Sequence, residues 1–419
     1  MIEAPKGTRD VLPDEIGRWQ RVEDLARRTF ERYGFGEIRT PILESTELFS
    51  RGMGEGSDIV SKEMYTFVDR GGRSLTLRPE NTAPVARAVL EHQLHRSAGL
   101  QRFYYIGPMF RYERPQKGRM RQFHQVGVEV FGSEHPAVDA ETLEMLMTFL
   151  AGLGLDDLEL VLNSVGDADC RPVYRQALLD YLEPRRALLC EDCRRRMDDN
   201  PLRCFDCKVE ADRAIMAAAP AITESLCAPC RDHFDRVLAL LRDYGLPHRV
   251  DPRLVRGLDY YRRTVFEVTM SSLGAQNALL GGGRYDGLLR ELGGPDIPGF
   301  GFAVGEERLV MVLPDARPAA PGTVEAFVAA VGEPGVMRAL IVARALRRSG
   351  RTVVFEPAPE KSLKAQLRRA NDLSARFVLI IGESEARERT VTIKTMSGGA
   401  QETVAEDRAI ARLAEMTGA

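Results

Sequence analysis

Apolar and polar side chains alternate with a period of two along RQFHQVGVEVF (121–131). Val126, Val128 and Val130 fall on one side of the implied strand, and Phe123, Gln125, Gly127, Glu129 and Phe131 fall on the other. The valine side suits a core. The side carrying Gln125 and Glu129 around a glycine suits a pocket wall, because glycine leaves room for a ligand. RFYYIGPMFRY (102–112) is also strand-like, and only ERPQKGRM separates the two runs, so an antiparallel hairpin with a long loop is expected. Upstream, Trp19, Val22, Leu25, Ala26, Thr29 and Phe30 recur at helical spacing over residues 18–33. GFGEIRTPILE (34–44) reads as a glycine turn leading into a strand, with Pro41 marking an edge or a bulge.

The pattern changes over residues 171–245, which are helix-rich and contain three cysteine pairs, as an insertion would. Strand signals return at 254–285, and LPDARPAAPGT (313–323) reads as a linker. Beyond it, VEAFVAAV (324–331), TVVF (352–355), FVLII (377–381) and TVTIK (390–394) alternate with amphipathic helices, one marked by Leu363, Leu367, Ala370 and Leu373. That alternation predicts a small α/β domain with a mainly parallel sheet. The expected division is a core of residues 1–170 and 246–320, a helical insertion at 171–245 and a C-terminal α/β domain at 321–419.

A chain of 419 residues holds roughly two to four domains. A formal net charge of -3 argues against a protein that coats nucleic acid non-specifically, but leaves room for a local basic surface. MIEAPKGTRD has no apolar signal-like region and no run of 18 apolar residues occurs, so a soluble cytoplasmic protein is expected. Six of the seven cysteines form three C-x-x-C pairs, Cys190/Cys193, Cys204/Cys207 and Cys227/Cys230, while Cys170 stands alone. In a reducing compartment such pairs read as metal ligands before disulfides.

Several segments carry candidate chemistry. In LVRGLDYYRRTVFEV (254–268), Arg256 is a fixed cation beside Tyr260 and Tyr261, which suits a small ligand with an anionic group and a polar ring. ALLGGGRYDGL follows, and its GGGR lacks the Lys-Ser/Thr of a phosphate loop. LRPENTA (77–83) presents Glu80 and Thr82 between a strand and a helix beginning near Pro84. These can receive an ammonium group, or Thr82 or Asn81 caps the helix. FRYERPQKGRMRQF (110–123) places Arg111 in register with apolar residues, where a charge needs a partner, ahead of a cationic loop bearing Arg114, Lys117, Arg119 and Arg121. Such a loop suits a phosphate backbone, or is simply solvated. GFGFAVGEERLVMVL (299–313) reads as a glycine-rich turn feeding a helix that holds Arg308, suited to a nucleotide or to plain helix docking.

In order and spacing these segments resemble a known family. GFGEIRTPILE, FRYERPQKGRMRQF and GFGFAVGEERL are similar to motifs 1, 2 and 3 of class II aminoacyl-tRNA synthetases. LRPENTA, LVRGLDYYRRTVFEV, ALLGGGRYDGL and the opening PKGTRDVLPDE narrow the resemblance to histidyl-tRNA synthetases, over essentially the whole chain. The resemblance implies an α+β catalytic core on a mainly antiparallel sheet, with ATP, Mg2+, L-histidine and histidine tRNA as cofactors and substrates, and a homodimer with motif 1 in the interface. It implies that Arg111, Arg256 and Arg308 neutralise developing charge. Glu80, Asn81, Thr82, Gln125, Glu129, Tyr260 and Tyr261, with Arg111 and Arg256, would hold histidine. Glu113, Arg119 and Phe123, with Arg111 and Arg308, would hold ATP, and Arg114, Gln116 and Arg119 would meet the acceptor end of the tRNA. The domain beyond residue 322 resembles an anticodon-binding domain. A non-catalytic regulatory subunit of ATP phosphoribosyltransferase shares this core and is the competing reading. Cys190, Cys193, Cys207 and Cys230 are the candidate ligands of a structural Zn2+, with Cys204 and His233 as competitors and free thiols as the alternative.

Overall fold

The computed structural model describes residues 2–54, 57, 59–115, 118–256, 258, 260–314, 324–358 and 360–417. The chain forms two compact units, Met1–Leu12 with Arg18–Ala316, and Pro13–Gly17 with Arg317–Ala419. The strands of the first unit are, in chain order, β1 (Gly36–Glu37), β2 (Leu43–Ser45), β3 (Tyr65–Val68), β4 (Ser74–Leu77), β5 (Gln101–Phe110) and β6 (Gln122–Phe131), then β7 (Leu158–Ser164), β8 (His248–Val250), β9 (Arg262–Met270), β10 (Ala278–Arg284) and β11 (Gly299–Gly305). Eight of them make one sheet in the order β1-β5-β6-β11-β10-β9-β7-β8, and β2-β4-β3 make a small second sheet. From β5 across to β7 every pairing is antiparallel, and only the edge strands β1 and β8 join in parallel.

The helices of this unit are α1 (Ile16–Arg32), α2 (Thr46–Met53), α3 (Thr82–Glu91), α4 (Pro136–Gly152), α5 (Cys170–Leu182), α6 (Glu191–Asp199), α7 (Glu210–Ala217), α8 (Ala228–Asp243), α9 (Leu288–Glu291) and α10 (Glu306–Val312). Val126, Val128 and Val130 are buried, as their alternation predicts. Helices α1 and α4 cover that face: the Phe30 ring lies 5.8 Å from Tyr104, 5.4 Å from Phe149 and 6.1 Å from Phe302. Helix α1 reaches the sheet with Trp19, Val22, Ala26, Thr29 and Phe30, spaced three or four apart. Helix α4 is apolar nearly all round because it is packed on more than one side, and Pro136 at its first turn needs no hydrogen-bond acceptor.

Two local readings need correction. Residues 34–44 form two strands, not one: the chain leaves the main sheet after Glu37 and enters the small sheet at Leu43. Pro41 lies in the gap, where its missing N–H interrupts no ladder. GFGFAVG is the central strand β11, not a turn, and α10 begins directly after it, at Glu306.

The second unit contains β12 (Ala326–Ala330), α11 (Gly332–Arg348), β13 (Val353–Phe355), α12 (Leu363–Asp372), β14 (Phe377–Ile381), α13 (Glu383–Glu388), β15 (Thr390–Thr395), β16 (Gln401–Ala405) and α14 (Ala409–Thr417). Its sheet runs β13-β12-β14-β15-β16. The pairings of β12 with β13 and β14 are parallel, but β15 and β16 add antiparallel strands, so the sheet is mixed where a mainly parallel one was expected. The buried amide of Gln366 exchanges two hydrogen bonds with Ala330, at 2.9 and 2.6 Å, and so satisfies the end of β12.

One polar cluster lies inside the first unit. Arg284 of β10 is wholly buried and donates to Asp139 of α4 at 2.5 Å, to Ser133 O at 2.6 Å and to Asp286 at 3.1 Å. The other Asp139 oxygen meets His233 of α8 at 3.0 Å. Burial alone would raise the Asp139 carboxyl, but Arg284 and His233 bring it below the usual range. Removing one partner leaves a buried charge uncompensated. Arg284→Met is therefore expected to lower the unfolding free energy by about 3–5 kcal/mol, with Asp139→Leu in the same chain recovering much of the loss. Urea unfolding of the two variants measures this, and a loss below about 1 kcal/mol in the single variant would refute it.

Candidate active site

The sheet face opposite the valines carries Glu129 and the polar groups gathered around it. Strand register aligns Tyr105, Gly127, Ala303, Gly281 and Glu267 in one row. Two residues along, it aligns Phe103, Glu129, Gly301, Gly283 and Val265. The glycines in these rows admit the protein's own side chains. A Cβ at Gly127 would collide with the Tyr105 hydroxyl, one at Gly281 with the Arg256 guanidinium, and one at Gly301 with the Glu129 carboxylate. The room over Gly127, expected for a ligand, is thus taken by Tyr105.

Glu129 is the centre of this face. Its Oε1 accepts from Thr82 Oγ1 at 2.7 Å and from Tyr105 OH at 3.1 Å, and its Oε2 accepts from the Tyr285 hydroxyl. Burial is the largest influence on its carboxyl, the hydroxyls offset part of it, and nearby Glu80 adds to it. The outcome is a group pushed up to about 8. The Tyr260 ring lies 4.7 Å from Tyr261 and 5.7 Å from Tyr285, closing one side of the site with phenols.

Glu80 caps α3, accepting from the backbone N–H of Thr82 and of Ala83, both at 2.9 Å. Glu80 thus provides the cap that one of the two readings gave to Thr82 or Asn81, and the helix begins at Thr82, two residues earlier than expected. Burial raises the Glu80 carboxyl, while these N–H groups and Arg111 pull it back. Asn81 accepts from Thr40 Oγ1 at 2.6 Å and from Arg78 at 3.3 Å. Among the described residues, Asn81 Nδ2, Gln125 Oε1 and Arg256 Nε are buried with no hydrogen-bond partner. Each such atom costs roughly 1–3 kcal/mol unless a polar ligand meets it.

The arginines border this cage. Arg256 donates to Glu267, which holds it over Gly281. Arg111 donates to Pro79 O at 2.8 Å and lies 5.3 Å over the Phe123 ring. Burial and the neighbouring Arg119 push the Arg308 guanidinium down, with Glu267 and Glu113 opposing. Arg119 itself pairs with Glu113 at 3.5 Å. Two cations brought close together in this way suit a polyanion. Arg114 is exposed on the loop, and Gln116 lies outside the described residues.

The geometry adds residues that the sequence reading missed. Tyr105, Tyr285, Glu267 and Arg78 all hold candidate residues in place. Tyr285 lies within ALLGGGRYDGL, and Tyr105 directly opposes Gly127 in the hairpin, so register counting could have found both. The candidate zinc set is divided. Cys190, Cys193 and Cys207 converge with Asp212, whereas Cys230 lies with Asp167, Cys170 and Cys227. Cys204 is in neither group and donates to Cys193 O.

The family model for histidyl-tRNA synthetase matches residues 7–309, and that for the anticodon binding domain matches residues 325–416. The histidine–tRNA ligase of Solibacter usitatus is 52% identical over 414 residues, covering 99% of each chain. That of Maridesulfovibrio salexigens is 51% identical over 412 residues, covering 97% of this chain and 98% of its own. The crystal structure of apo histidyl-tRNA synthetase from S. aureus superposes with a TM-score of 0.81 at 37% identity, covering 99% of this chain and 100% of that one. A Bacillus halodurans structure, described as an ATP phosphoribosyltransferase regulatory subunit/histidyl-tRNA synthetase, has a TM-score of 0.66 at 24% identity, a likeness of fold alone. An antiparallel sheet presenting carboxylates and arginines on one face, joined to an anticodon-binding domain, defines a class II aminoacyl-tRNA synthetase. Within that class the chain belongs to the histidyl-tRNA synthetase family.

The raised Glu129 carboxyl has a consequence for stability. Its folded value, about 8, exceeds the ordinary value of 4.5. Its contribution is therefore fully present below about pH 4.5 and is lost as pH rises through about 8. Glu129→Gln, which cannot ionise, should gain stability relative to the parent between pH 5 and pH 8. Urea unfolding at both pH values tests this, and a difference that does not change with pH would show that Glu129 ionises as it does in water.

Proposed function

We propose that the chain joins L-histidine to histidine tRNA in two steps on the face built around Glu129. In the first, a histidine carboxylate oxygen attacks the α-phosphorus of ATP. The bond to the bridging oxygen breaks, and pyrophosphate leaves. In the second, the 3′ hydroxyl of the tRNA attacks the acyl carbon, loses its proton, and AMP departs. Little covalent work is asked of the protein. It must bring one anion to another and stabilise the growing charge.

The observation that carries the assignment is the hydroxyl-ringed Glu129 on the same face as Arg256. Glu129 and Tyr260 are assigned to the imidazole nitrogens, with Gln125 and Tyr261 beside them. Glu80, Asn81 and Thr82 are assigned to the α-ammonium end. Each Glu80 oxygen gives one lone pair to the helix cap and keeps another for a ligand. Arg111 and Arg256 are assigned to the carboxylate and α-phosphate. Arg308, Arg119, Glu113 and Phe123, with Arg111, are assigned to the remainder of ATP. Arginine suits these positions because it stays charged and donates bidentately.

Glu113 and Glu267, the carboxylates near Arg308, suit a hard cation and are the groups that would hold Mg2+. When bound with ATP, Mg2+ supplies charge neutralisation at the phosphates. Arg114 and Arg119 are assigned to the tRNA acceptor end, and residues 321–419 to the anticodon. Residues 1–170 and 246–320 then form the catalytic core and 171–245 a structural insertion. A cytoplasmic homodimer is the proposed working form. Among the described residues no helix is long and apolar enough to cross a membrane.

ATP–pyrophosphate exchange with each of the twenty amino acids tests the assignment. Histidine should drive exchange best, and a better response to any other amino acid would overturn the specificity. Arg256→Ala should keep its circular dichroism spectrum while losing adenylation by roughly a hundred- to a thousandfold, the effect of removing one preorganised donor. Near-normal exchange in that variant would reject the role given to Arg256.

A further inference from the structure

Residues 167–230 hold two clusters of the same composition, one inside the insertion and one at its junction with β7, and we propose that each binds one zinc ion through three thiolates and one carboxylate. This concerns the insertion and its junction with β7, and does not depend on the catalytic assignments. In the first cluster the ligand atoms of Cys190, Cys193, Cys207 and Asp212 all lie within 4.8 Å of one another. In the second, those of Asp167, Cys170, Cys227 and Cys230 do the same. Three of the four residues in each cluster are cysteines, and at least two of the four are buried.

Three of the four ligand–ligand distances match a tetrahedral ion, and the fourth, Cys230 to Asp167, is shorter. Bonds of about 2.3 Å to sulfur and about 2.0 Å to oxygen set S···S edges near ~3.8 Å and S···O edges near ~3.5 Å. Cys190 and Cys207 sulfurs are 3.8 Å apart, and Cys207 lies 3.4 Å from Asp212. Cys227 and Cys230 lie 3.7 and 3.0 Å from Asp167 Oδ2. All seven cysteines are free thiols, so no disulfide competes for them.

The backbone repeats as well. Cys190 caps α6 with φ -64 and ψ 162, and Cys227 caps α8 with φ -64 and ψ 161. Each is preceded by a buried leucine, Leu189 or Leu226, and followed three residues later by its partner cysteine in the first helical turn. Zinc with three thiolates and a carboxylate carries a net charge of about -2. A helix N-terminus at each cluster offsets that charge. Backbone N–H groups also point at sulfur, Cys193 to Cys190 at 3.4 Å and Cys227 to Cys170 at 3.1 Å. The second cluster sits where β7 ends. The Arg263 N–H of β9 reaches Gly166 O at 2.7 Å, one residue before Asp167. An ion there would fasten α8 to the catalytic sheet, while the first cluster fastens α6 to α7.

Native mass spectrometry and elemental analysis of the full chain, loaded with Zn2+ and desalted, test the proposal. Two zinc ions per chain are expected. Cys207→Ser and Cys170→Ala should each leave one, the double variant none, and Cys204→Ser should keep both. Replacement by Co2+ should give the thiolate-to-metal absorption of tetrahedral sites, with twice the intensity in the parent that either single variant shows. One zinc ion or none in the parent would overturn the proposal, as would loss of zinc in Cys204→Ser or retention of both ions in Cys170→Ala. The parent stoichiometry decides the question even where a variant does not fold.

Discussion

The site depends on a carboxyl group that the protein keeps out of water. Glu129 is surrounded by hydroxyls from the start of α3, from β5 and from the segment after β10, so one side chain fixes the relative positions of three stretches far apart in sequence. Withdrawing it from solvent raises its proton affinity, and its carboxyl is pushed up to about 8. The bare positions around it follow from this. Gly301 must lack a side chain to admit the carboxylate, Gly127 to admit Tyr105, and Gly281 to admit the Arg256 guanidinium. Gly281, Gly299 and Gly301 of β10 and β11 thus record how closely charged and phenolic groups approach the sheet.

Much of this architecture was legible in the chain. The period of two over 121–131 identified the hairpin strand and separated its valine face from the face that carries Glu129, and helical spacing located α1 to within two residues at either end. Those signals are local and come from burial on one side of an element. The failures were also physical. Glycines in GFGFAVG suggested a turn, but they serve a central strand that needs close approach on one side. Pro41 was read as an irregularity within one strand, whereas the chain changes sheets there.

Among the histidine-site candidates, Thr82 meets Glu129 and Tyr260 meets Tyr261, and each lies in a motif whose order along the chain is distinctive. Tyr105 and Glu267 went unnoticed because their importance comes from cross-strand register, which single-strand patterns do not contain. The cysteines show the same limit. Spacing grouped Cys230 with Cys190, Cys193 and Cys207 and left Cys170 alone. Folding instead joins Cys170 to Cys227, 57 residues away, and brings in two aspartates that no C-x-x-C pattern includes.

Asp139 gives α8 a significance beyond its own packing. This carboxylate on α4 is shared between Arg284 of the central sheet and His233 of α8. If α8 came away alone, Asp139 would lose one of its partners inside an apolar layer. Opening the insertion and loosening the sheet are therefore energetically tied, so the two should exchange their amide protons with solvent as one cooperative block. Residues 171–245 look detachable along the chain, yet one shared carboxylate ties α8 to the central sheet.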